Sequence, residues 1–85
     1  MMLHVDNFEL NGSYRMSLLF NNGETVEVDL ENELEGKIFE PLKKPEYFKS
    51  AYLNEETGTV EWPNGADFAP EFLLELGKKQ KKRSA

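Results

Sequence analysis

Apolar residues occupy every second position from Tyr14 to Phe20, as Tyr14, Met16, Leu18 and Phe20, and again from Val26 through Val28 to Leu30. A period of two puts those side chains on one face of a pleated backbone, so both runs read as half-buried strands. The intervening Asn21-Asn22-Gly23 makes them a hairpin, and the pattern selects its loop. A two-residue Asn22-Gly23 turn would pair Phe20 with Thr25 and Leu18 with Glu27, setting charge opposite core residues. A three-residue loop with Gly23 left-handed pairs Phe20 with Glu24, Leu18 with Val26, Met16 with Val28 and Tyr14 with Leu30, and this is the predicted register. Leu3-His4-Val5 and Phe8-Glu9-Leu10 alternate similarly ahead of an Asn11-Gly12 turn. A three-stranded meander is predicted.

Between Glu31 and Pro45 the alternation stops. Gly36, Pro41 and Pro45 punctuate a segment that reads as a short helical turn or irregular crossover, with Ile38, Phe39 and Leu42 packing onto the sheet. Tyr47 to Leu53 and Thr59 to Trp62 then bracket Asn54-Glu55-Glu56-Thr57-Gly58, a second hairpin signal. A four-residue loop sets Leu53 opposite Val60 and Ala51 opposite Trp62, with Tyr52 and Glu61 sharing the other face. Pro63 cannot donate to a ladder, so the strand ends there. After the Asn64-Gly65 turn, Pro70 suits the first position of a helix bearing Phe72, Leu73 and Leu76, which Gly77 is expected to stop. The polar, lysine-rich stretch 78–85 reads as a disordered basic tail. The predicted fold class is α+β: a small, mostly antiparallel sheet built from two hairpins, an irregular crossover and one short C-terminal helix, with residues 1–77 as a single domain.

Length and composition narrow the picture. A chain of 85 residues buries only roughly 60% of the surface its unfolded form exposes, which leaves a thin core and favours self-association, so a homodimer is expected. The chain has no cysteine, which removes disulfides, thiolate metal sites and a thiol nucleophile. Neither a signal peptide nor a membrane-spanning run of roughly 20 apolar residues is present, so a cytoplasmic protein without membrane contact is expected. Five of the ten basic residues are Lys78, Lys79, Lys81, Lys82 and Arg83; residues 1–77 carry sixteen acidic against five basic groups, a net of −11. Nucleic-acid affinity rests on Lys and Arg displacing condensed counterions. The folded part is therefore expected to make no direct nucleic-acid contact, leaving weak contact to the tail alone.

Three blocks, FNNGETVEVDL, IFEPLKKPEYF and WPNGADFAPEFL, resemble in order and spacing those of the domain of unknown function 2442 family, over about residues 3–76. WPNGAD is the strongest of the three. The resemblance implies a small bacterial α+β domain, found alone or ahead of a helix-turn-helix domain, and it implies no activity. Stand-alone members look like halves of two-gene cassettes, which suggests a toxin–antitoxin-like or regulatory pair with a protein partner. No helix-turn-helix pattern follows here, so a DNA-binding role is expected to need a second chain. The family often has serine before the helix proline, where this chain has Ala69; alanine cannot accept the orphan amide hydrogen bonds, so Asp67 caps the helix if anything does.

Candidate chemistry is sparse. His4 is the sole histidine and has no nucleophile partner in sequence, and Glu61 and Asp67 flank a turn without any feature that raises a carboxyl pKa. The acidic run Asp29, Glu31, Glu33, Glu35 lacks the central glycine of a calcium loop and reads as a solvated face. No catalytic residue, metal or cofactor is expected. Trp62, Asn64, Gly65 and Asp67 form the candidate partner or ligand surface, with core, turn and cap roles as the structural reading of the same residues, while Asn21, Asn22 and Gly23 form a structural turn. The expected function is a non-enzymatic interaction or regulatory module that binds a protein partner; the alternative is a small-ligand sensor with its site near Trp62.

Overall fold

The computed structural model describes residues 2–83. Strands β1 (Val5–Leu10), β2 (Arg15–Phe20) and β3 (Thr25–Asp29) form an antiparallel meander in that order, and β4 (Tyr52–Asn54) and β5 (Thr59–Glu61) form a separate two-stranded ribbon. The β2–β3 register sets Leu18 against Val26 and Met16 against Val28. Phe20 donates its N–H to the Glu24 carbonyl at 2.9 Å, the Gly23 N–H returns to the Phe20 carbonyl at 3.0 Å, and Gly23 takes φ +87°. The three-residue loop with a left-handed glycine is the one the apolar pattern selects. Asn21 reaches across to the chain before β1: its Oδ1 accepts the His4 N–H at 3.0 Å and its Nδ2 donates to the Met2 carbonyl at 2.9 Å. Strand β1 carries an irregularity between Val5 and Asn7, so simple alternation does not extend through it.

The crossover consists of two 3-10 segments, Glu31–Glu33 and Lys37–Lys43. With three residues per turn, Phe39 and Leu42 share a face and Ile38 points elsewhere. Leu42 is buried and Phe39 packs against the core, whereas Ile38 is 47% exposed, contrary to the expected packing of all three. Pro45 then opens a single helical turn, α1 (Pro45–Phe48). This turn takes residues assigned above to a strand, so β4 is only three residues long. Its register sets Leu53 opposite Val60 and Tyr52 opposite Glu61 as predicted, but the expected Ala51–Trp62 pair is not part of the ladder, since β5 ends at Glu61 and the Trp62 N–H turns to the Ala66 carbonyl. The ribbon touches the meander where the Val5 N–H meets the Gly58 carbonyl at 2.7 Å.

Helix α2 (Pro70–Arg83) does not stop at Gly77. A Cβ on Gly77 would lie 2.5 Å from the Val26 Cβ, so this glycine serves a close approach of helix to strand and sits inside the helix. Leu73, Leu74, Leu76 and Gly77 are buried along this contact. Residues 78–83, read above as the start of a disordered tail, are helical; Ser84 and Ala85 lie outside the described residues. Lys81, Lys82 and Arg83 in the last turn suit the negative end of the helix dipole.

The core joins both sheets and the helix through Trp62, Phe20, Phe48, Met16 and Leu73, none more than 1% exposed. The stability test falls on Gly77. Gly77→Ala improves intrinsic helix propensity by about 1 kcal/mol, yet the added methyl must displace the stiff Val26 side chain, an overpacking cost of about 1–3 kcal/mol. Chemical denaturation is expected to show net destabilisation, and a smaller loss for the same change in a Val26→Ala background; a gain in stability would contradict this packing.

Candidate functional site

Trp62 is fully buried, with its ring against Phe48 at 5.3 Å and Phe68 at 6.0 Å. Its indole N–H donates to the Phe48 carbonyl at 2.9 Å, and its main-chain N–H and C=O close the turn with Ala66 and Gly65, both at 2.9 Å. Asn64 is exposed but committed: Nδ2 donates to the Ile38 carbonyl at 2.7 Å and Oδ1 accepts the Ala66 N–H at 3.1 Å. Gly65 supplies φ +91° in the turn. Asp67 bridges Glu61 through the main chain and, among the described residues, makes no side-chain hydrogen bond to the first amides of α2; the helix opens at Ala69, whose carbonyl accepts from Leu73. These four residues thus form one structural corner that ties α1, the 3-10 crossover and β5 together. Trp62 presents no face to a ligand.

Of the titratable groups named in the sequence, Glu61 and Asp67 are brought side by side by their main-chain bridge. His4 pairs with Asp6 at 3.2 Å on the surface, and Glu61 receives the Tyr52 hydroxyl at 3.0 Å and the Asn54 amide at 2.8 Å. The Glu61 contact raises the Tyr52 pKa above its usual value. Among the described residues, no three of His, Asp and Glu gather where they could hold a metal ion.

A concavity with a volume of about 580 Å³ lies elsewhere, between β3 and the second half of α2. Thr25, Glu27 and Asp29 line its strand wall and Gly77, Lys78 and Lys81 its helix wall. Even-numbered residues of β3 pair with β2, as the Leu30 N–H to Tyr14 carbonyl contact of 2.8 Å continues. The N–H and C=O of Thr25, Glu27 and Asp29 therefore point away from the sheet. At Asp29 the Gln80 carboxamide meets both, accepting from the N–H at 2.8 Å and donating to the carbonyl at 2.9 Å. Glu24 and Lys78 close the other end at 2.9 Å. This hydrogen bond, followed by one from Asn22, holds the Glu24 carboxyl below the usual range. Gln80 was not picked out above, although a signal exists: it is the one uncharged residue in KKQKK and continues the Leu73, Leu76, Gly77 stripe at helical spacing.

The family model for proteins of unknown function, DUF2442, matches residues 5–79. The chain belongs to this family. A solved structure with the same fold comes from Nitrosomonas europaea and is described as "Putative DNA Binding Protein"; it has a TM-score of 0.82 and 26% identity, over 95% of this chain and 52% of that one. The DUF2442 chain thus spans about half the length of that neighbour. No curated protein matches it.

This neighbour overturns the expectation that the folded domain makes no direct nucleic-acid contact. Averaging charge over residues 1–77 hid a polarity, because α2 carries Lys78, Lys79, Lys81, Lys82 and Arg83 as part of the folded unit. Lys79 and Lys82 lie on the helix face opposite Leu73, Gly77 and Gln80 and are exposed. No described helix is long and apolar enough to cross a membrane.

Two outcomes follow from the site. Native Trp62 emission should be shielded from iodide, and quenching as strong as in the unfolded chain would show the corner to be open. A carboxyl whose folded pKa is lowered contributes stability above its ordinary value, 4.5 for Glu24, and loses it as pH falls through the folded value. Lys78→Met should therefore flatten the fall in stability on acidification below about 4.5, relative to the unaltered protein; identical pH profiles would mean that the pair contributes nothing.

Proposed function

We propose that this DUF2442 chain is a non-enzymatic regulatory interaction module, bacterial and cytoplasmic, which joins a protein partner to DNA. The carrying observation is the cationic end of α2, held on the domain by the Gly77–Val26 contact and the Gln80–Asp29 clamp. A helix that projects cations from an acidic body meets phosphates at its end while the body is repelled, which orients the domain on a duplex. The structural neighbour described as "Putative DNA Binding Protein" supports this reading. The commitment of Trp62 and Glu61 to intramolecular hydrogen bonds supports a binding role over chemistry at the WPNGAD corner.

The test is anisotropy of a labelled DNA duplex across a salt series. Each phosphate neutralised contributes roughly −0.9 to the slope of log K against log salt, so contacts from Lys79, Lys82 and Arg83 give a slope of about −3. Changing these three to glutamine should abolish measurable binding without altering the fold. Absence of binding by the unaltered chain at low salt, or equal binding by the triple variant, would refute the proposal.

A further inference from the structure

We propose that Asn11 is a site of covalent self-modification, in which the Gly12 main-chain nitrogen cyclises onto the Asn11 side chain and the fold directs this deamidation to Asn11. The chain has three Asn-Gly pairs, Asn11-Gly12, Asn22-Gly23 and Asn64-Gly65. Glycine after asparagine favours the reaction in each, because the missing Cβ leaves the attacking nitrogen open and the backbone free to turn. The fold separates the three. The Gly23 N–H donates to the Phe20 carbonyl at 3.0 Å and the Gly65 N–H to the Trp62 carbonyl at 2.9 Å, so both nucleophiles are held in turns. The carboxamides of these two pairs are also fixed. Asn22 Oδ1 accepts the Glu24 N–H at 3.0 Å, and Asn64 Oδ1 accepts the Ala66 N–H at 3.1 Å.

Neither restraint applies at Asn11-Gly12. Among the described residues the Gly12 N–H makes no hydrogen bond and the Asn11 Oδ1 accepts none. Residues 11–13 are exposed, and a Cβ built on Gly12 would approach only the Arg15 Cδ, at 4.0 Å, so the segment has room to bring nitrogen to carbon. Asn11 Nδ2, the leaving group, donates to Ser17 Oγ and, at 3.2 Å, to Glu27 Oε2. In the reaction the Gly12 nitrogen gives up its proton and bonds to Asn11 Cγ; the Cγ–Nδ2 bond breaks, and the amide departs with a proton as ammonia. Water then opens the five-membered imide at one carbonyl or the other, leaving aspartate or isoaspartate at position 11. Neither product can make the two former donations, and the new carboxylate meets Glu27 as a like charge on the outer face of the meander. Isoaspartate also inserts a carbon into the main chain beside the contact from the Asn11 N–H to the Arg15 carbonyl that closes the β1–β2 turn. The modification thus loosens that turn irreversibly. It uses none of the residues of the DNA contact proposed above and stands or falls apart from it.

The test is peptide mapping by mass spectrometry of the intact folded chain, sampled over time at mildly alkaline pH, with the chain unfolded in guanidinium as reference. Trypsin places the three pairs in separate peptides, cutting after Arg15, Lys37 and Lys49. Conversion of amide to acid in the folded chain should run about tenfold faster at Asn11 than at Asn22 or Asn64, the factor that one hydrogen bond retained on the nucleophile implies. The unfolded chain should react at all three with comparable rates, since the dipeptide is the same. Asn11→Asp, which carries the aspartate product, should lower the denaturation midpoint, and adding Glu27→Gln should recover part of the loss. Equal rates at the three pairs in the folded chain, faster change at Asn22 or Asn64, or no change at Asn11 would overturn the site. An unchanged midpoint in Asn11→Asp would overturn its effect on the turn.

Discussion

The close approach of α2 to β3 at Gly77 and Val26 is the constraint on which the surfaces of this domain depend. A glycine inside a helix costs propensity, and here that cost is offset by letting the helix axis come near enough to the sheet for Leu73 and Leu76 to bury and for Gln80 to reach the strand edge. Any larger residue would push the helix off the sheet. The groove would open and the cationic turn would lose its anchorage. One missing Cβ therefore places both the cations and the wall of the cleft.

The opposite corner is organised by Trp62. Its indole N–H, its main-chain groups and its ring are engaged by Phe48, Ala66, Gly65 and Phe68. Two of the three blocks that carry the family resemblance meet there, because Asn64 in the third block binds the Ile38 carbonyl in the second. The most recognisable part of the chain is thus a folding device. Phe39, Phe68 and Phe72 extend it as a stack of rings toward the surface, with Phe72 41% exposed.

Legibility followed the physics of each element. The β2–β3 register was readable because a one-residue slip would have put Glu27 against the core, and the β4–β5 register for the same reason at Leu53 and Val60. Elements governed by long-range contacts were not. Gly77 and the lysines after it carry the local signature of a helix stop and a loose tail, and only Val26, fifty-one positions earlier, explains why the helix continues. Asp67 stands two positions before Ala69, where the helix opens, and its main chain bridges Glu61. Ile38 was misplaced by treating a 3-10 turn as a generic apolar cluster, and the residues of the β3–α2 groove were missed because strand edges and helix faces meet there only in three dimensions.

Charge bookkeeping shows the same limit. A net of −11 over residues 1–77 is accurate and describes the body well, yet partners meet local fields and not totals. The function proposed for this domain requires residues 78–83 to be helix fixed to the sheet. The most direct measurement is the Cα chemical shift of Lys78 to Lys82 in the unaltered chain. Helical shifts continuous with those of residues 70–77 are predicted; coil values beginning at Lys78 would contradict the account at its root.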